Sequence, residues 1–111
     1  MALAVFLHEG QFIDYTASAD KVCGDVIELG SNDFIGIVAT ADGIKNGATG
    51  AVQIEGVFDC TKTTASDVLA AGDWLAFGAG GTVAASGTGR HLAVTAAGNG
   101  VTTIKVKINA R

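Results

Sequence analysis

The chain has 111 residues, 49% of them hydrophobic but only 6% aromatic, and eleven acidic against seven basic side chains leave a net charge of −4. That length holds one domain whose core must be assembled from small and branched side chains, and the charge has the wrong sign for coating phosphates, so nucleic acid is not an expected partner. No apolar run is long enough to span a bilayer and the start, MALAVFLHEG, lacks the marks of a secretory signal, so no membrane partner is expected and the protein should be soluble and made in a cytosol.

Residues 2–7, ALAVFL, are too short for a stable solitary helix, and HEGQ breaks any continuation. Such a segment is expected to become an edge strand or to lie against another chain. QFIDYT reads as a strand with Phe12 on one face and Ile13 and Tyr15 on the other, which divides the chain into an N-terminal arm with first strand, 1–16, and one β domain, 17–111. VCGDVIELG is a second extended run, bent at Gly24-Asp25, and FIGIVAT a short apolar strand. The clearest alternation lies in Gly47 to Phe58, where Val52, Ile54 and Phe58 share a face, Gln53 and Glu55 share the other, and Gly56 interrupts the apolar one. TTASDVLAAG, 63–72, is the one helical candidate, with Thr64 or Ser66 as cap and Gly72 as stop. WLAF, 74–77, reads as a strand and the glycine-rich stretch 78–89 as a hairpin. HLAVTAA and VTTIKVKINA flank Gly98-Asn99-Gly100 as a terminal hairpin, with Thr102, Ile104, Val106 and Ile108 on one face. Short strands punctuated by glycine, without proline, predict an all-β fold: a small β-sandwich or β-barrel with an extended N-terminal arm and at most one short helix.

Reactive groups are sparse. His8 and His91 are the only imidazoles; His8 and Glu9, adjacent on an extended chain, point apart, and His91, after a glycine turn, is expected at the surface or rim. Cys23 and Cys60 read as reduced, small apolar residues. Asp14, Asp25, Asp33, Asp42, Asp59, Asp67 and Asp73 read as solvated turn or strand-end residues, and Lys105, Lys107 and Arg111 as a solvated basic end able to meet an acidic neighbour. No nucleophile elbow, dinucleotide fingerprint or calcium loop is complete, so catalysis, cofactor and metal are not expected.

In order and spacing the chain resembles the bacteriophage capsid cement, or head-decoration, proteins. The resemblance runs through Gly10-x-x-Ile13-Asp14-Tyr15-Thr16, Lys21-Val22-x-Gly24-Asp25-Val26, Ile35 to Ala39, Asp42-Gly43, Gly47-x-x-Gly50-Ala51-Val52-x-Ile54-x-Gly56-Val57-Phe58, Ala71-Gly72-Asp73 and the closing alternation Thr103 to Ile108. Two departures are Ala17, where the family often carries proline, and His91-Leu92, where it carries glycine before the final hairpin. The resemblance implies a non-catalytic virion protein, made in the bacterial host, that binds the major capsid protein on the outer surface of the shell and reinforces it. A homo-oligomer, trimer or dimer, is the expected form on the shell. The residues expected to contact capsid or a sister subunit are Leu3, Val5, Phe6, Leu7, Phe12, Ile13 and Tyr15. Two other readings use the same strands: a tail-tube or head-completion subunit, and a small ligand- or carbohydrate-binding β module, which requires exposed aromatics around Trp74.

Overall fold

Alternating side chains on short strands can be buried only by stacking sheet on sheet or by curling a sheet on itself, and the chain does both. The computed structural model describes residues 11–30, 33–78 and 80–111; the arm expected at residues 1–10, with His8 and Glu9, lies outside the described residues. Sheet 1 contains β1 (Phe12–Thr16), β2 (Val26–Glu28), β3 (Ile35–Val38) and β4 (Thr49–Gln53) in the order β1-β4-β3-β2. Sheet 2 contains β5 (Val57–Thr61), β6 (Trp74–Phe77), β7 (Val83–Ala85), β8 (His91–Ala93) and β9 (Thr103–Lys107) in the order β5-β9-β8-β6-β7. Every strand pairing within the two sheets is antiparallel. The edges of sheet 2 then meet through a parallel bridge between Lys62 and Val83, so that end of the sheet closes as a barrel. Thr63 N–H donates to the Val83 carbonyl at 2.9 Å beside it.

The registers build two cores. Inside sheet 2, Leu75, Phe77, Val83, Ala93, Ile104, Val106 and Ile108 pack with Cys60, Leu69 and Ala97, and Ile35 and Ile37 of β3 complete that cluster. On the other face of sheet 1, Ala17, Ile27, Val38, Ile44 and Val52 form a second core against which Ile13, Tyr15 and Leu29 pack. β3 therefore serves both, which is why all four of its residues are buried. The last strand keeps its expected register, with Ile104, Val106 and Ile108 buried and Thr103, Lys105 and Lys107 exposed.

Sequence expectations are corrected at several points. The run Gly47 to Phe58 is two strands in different sheets, because the chain turns at Gly56, whose φ of 134° an L side chain rarely adopts. Among the described residues no helix forms, so none is long and apolar enough to cross a membrane. The helical candidate 63–72 fails because its carbonyls are engaged elsewhere. The Lys62 ammonium donates to Ala65 O at 3.1 Å, to Asp67 O, and to Gly98 O at 3.0 Å, while Leu69 exchanges both backbone bonds with Ala97. Lys62 is only 4% exposed, so its charge is carried by these carbonyls and plugs one end of the barrel.

The third correction is His91, expected at the rim and found 0% exposed. It closes the opposite end of the barrel, edge-to-face on Phe77 with ring centroids 4.8 Å apart. Asn109 N–H donates to Nδ1 at 2.9 Å, which places the proton of the neutral ring on Nε2. Nε2 lies 3.0 Å from both the Asp33 carbonyl oxygen and Oδ2; the ring donates to the carbonyl, leaving Oδ2 close to the ring without an aligned donor. Asp33 is thus no solvated turn residue, and its Oδ1 also accepts from Phe77 N–H at 3.3 Å. Asn109 ties the sheets together: Nδ2 donates to Ile35 O and Ile54 O, both at 2.8 Å, and Oδ1 accepts from Ile35 N–H at 3.1 Å. Of the two thiols, Cys60 is buried and Cys23 is exposed in a turn; both are free.

Candidate interaction surface

An antiparallel strand at a sheet edge bonds inward through every second residue and offers the rest to whatever lies alongside. On β1 the inward residues are fixed by two flanking bonds, Ile54 N–H to Gln11 O at 2.8 Å and Ala17 N–H to Ala48 O at 3.0 Å. The alternation between them assigns Ile13 and Tyr15 to the β4 ladder, and the backbone groups of Phe12, Asp14 and Thr16 to the open edge. Among the described residues no strand pairs with that edge. Phe12 stands on it 44% exposed, a large apolar side chain beside unpaired amides.

A second surface is the outer face of sheet 2. The registers place Trp74, Leu92, Lys107 and Val57 in one row across β6, β8, β9 and β5. Lys105 follows along β9, joined to Asp59 at 2.9 Å. Val57 and Val94 are 53% and 42% exposed there, so the face alternates apolar and basic groups. Trp74 is not open as a stacking platform: the Arg111 guanidinium lies over its ring at 4.0 Å, held by bonds to Gly89 O and Gly87 O, both at 2.8 Å. Arg111 is therefore a structural residue rather than part of a solvated basic tail.

Charge divides along the same line. Residues 11–54 carry six acids and two bases, whereas residues 55–111 carry four acids and five bases. The first part is acidic and the second close to neutral, with Lys105 and Lys107 on the outer face. Among the described residues no three His, Cys, Asp or Glu side chains gather in a way that could hold a metal ion. Burial, and next the Asp59 carboxylate, push the Cys60 thiol up from 9.0 to about 11, so it stays protonated and a poor nucleophile at neutral pH.

Of the residues expected to make contacts, Leu3, Val5, Phe6 and Leu7 lie outside the described residues. Phe12 is on the open edge, while Ile13 and Tyr15 are half-buried against the second core. Sequence alternation separated Phe12 from Ile13 and Tyr15 correctly. It gave no sign of the Asp33–His91–Asn109 network, whose members are far apart along the chain.

A family model described as phage cement protein matches residues 7–108. No curated protein and no solved structure matches the chain.

Proposed function

The chain belongs to the phage cement protein family, and from that premise we propose that it binds the major capsid protein on the outer surface of the head and stabilises the shell. Its role as a phage capsid structural protein follows from the family; the surface, the partner and the reinforcement are the proposal. The observation that carries it is the open outer edge of β1, where Phe12, Asp14 and Thr16 offer backbone groups and one exposed aromatic side chain to an added strand. Leu3, Val5, Phe6 and Leu7 of the arm add a contact with capsid or with a sister subunit. Ile13 and Tyr15, directed inward, fix the strand that presents it. Copies gather as trimers or dimers, and many weak attachments on one particle act together. A carbohydrate-binding role draws no support from Trp74, whose ring is covered by Arg111.

The test uses undecorated heads of the protein's own phage. Full-length protein is expected to saturate them, and a variant lacking residues 2–7, or Phe12→Glu, to need at least tenfold higher concentration. Undiminished occupancy by both variants, each shown to melt like the parent, would sink the proposal.

A further inference from the structure

Among the described residues the two edges of sheet 2 meet at one place. β5 and β7 meet at Lys62 and Val83, but beside the earlier part of β5 the described residues leave a cavity of about 180 Å³. Its lining includes Gly24, Val26 and Ile37 from sheet 1, with Phe58, Cys60 and Gly81 from the barrel. Val26, Ile37, Phe58 and Cys60 make the apolar part of the lining and Asp59 and Thr61 the polar part, and the volume is of the order of the ~150 Å³ that admits a benzene-sized group. Along its rim runs the free edge of β5. Gly56 O accepts from Ile108 N–H and Lys62 N–H donates to Thr102 O, so alternation directs the backbone groups of Val57, Asp59 and Thr61 away from β9. The charge on that rim, Asp59, is met by Lys105 at 2.9 Å. An apolar pocket beside an unpaired strand edge is the receiving half of a strand-addition site: backbone pairing supplies affinity and alternate side chains enter the pocket.

We infer that this slot receives residues 2–7, Ala-Leu-Ala-Val-Phe-Leu, of a second copy of the chain, added as a strand along β5. The inference rests on the reading above that the arm is a contact segment, and it names where the arm goes. The segment is uncharged, and when extended it puts Leu3, Val5 and Leu7 on one side. Its six residues cover roughly 20 Å, matching an edge of about 17 Å. Gln11, where the arm joins the described residues, lines a groove with Gly56 and Lys107 and is not among the residues lining this slot. The ten residues before Gln11 reach at most about 33–36 Å when extended, enough for a neighbour lying alongside. Each copy gives one arm and accepts one, a head-to-tail contact that closes into a ring or continues across a surface.

The test replaces Phe6 with a photoreactive benzophenone amino acid and mixes isotopically light and heavy copies, in concentrated solution and on heads. After irradiation, mass spectrometry is expected to find light arms joined to heavy peptides containing residues 57–61. Thr61→Pro, which keeps the β9 ladder because that amide faces outward, should lower this adduct at least tenfold without changing the melting temperature. Adducts confined to single copies, adducts elsewhere, no adduct in either setting, or indifference to Thr61→Pro would each overturn the inference. If arm deletion abolishes head occupancy while no adduct forms at β5, the slot assignment fails and the capsid reading stands.

Discussion

Asn109 binds distant parts of the chain through three side-chain hydrogen bonds. With φ of 51° it occupies the left-handed region, and its amide bonds three backbone groups of sheet 1 while its own N–H holds the His91 ring. Asn109→Ala should therefore cost about 2–4 kcal/mol, since backbone groups of Ile35 and Ile54 lose their partners in a buried place. Asn109→Gly should recover little of it, because the loss lies in the side-chain bonds rather than in backbone strain. Urea unfolding measures both, and a loss below about 1 kcal/mol for Asn109→Ala would contradict the clamp. Cys60 makes a second prediction, in alkaline solution. Its folded value, about 11, lies above the ordinary 9.0, so the unfolded chain gives up the proton first as pH rises. The stability owed to the buried thiol is whole below pH 9 and falls between 9 and 11, by up to about 2–3 kcal/mol at 1.36 kcal/mol per unit. Cys60→Ala should flatten stability over that window, and an unchanged slope would show that other groups cause the fall.

At the scale of elements, close approach matters as much as pairing. Gly89 passes so near β6 that an added Cβ would lie 2.1 Å from the Leu75 carbonyl oxygen. That neighbour is backbone and has no rotamer to escape into. Gly89→Ala should accordingly separate β6 from the turn before β8 and lower the melting temperature by well over 10 °C, whereas Gly87→Ala, with open space around it, should change it little. The strands that two-residue alternation predicts, β1 and β9 above all, are present because alternation is a local property and one face of each is buried. The change of sheet at Gly56 was less legible, since alternation continues through it and only the glycine marks the break. The absent helix at 63–72 was not legible at all. Its caps are sound locally, but a lysine one residue upstream draws in the carbonyls a helix needs, an effect that depends on the barrel around Lys62. His91 was misjudged for the same reason: what buries it are Asp33, Phe77 and Asn109, which reach it from other parts of the chain.

The whole molecule is a barrel joined to a second, separately cored sheet, with acidic residues concentrated in sheet 1 and its loops and, among the described residues, with open strand edges on β1 and β5. Natural β proteins usually blunt such edges, and an edge kept open beside exposed Phe12 or Val57 is suited to a partner. Membership in the phage cement family gives that partner a setting, the phage capsid. The most direct test of cementing is a heat ramp on DNA-filled heads, bare and saturated with the protein, with DNA release as the readout. Saturated heads are predicted to release their DNA several degrees higher, and heads lacking the arm's contact, coated with protein deleted for residues 2–7 at matched concentration, to behave as bare ones. Identical release temperatures for bare and fully occupied heads would contradict the account.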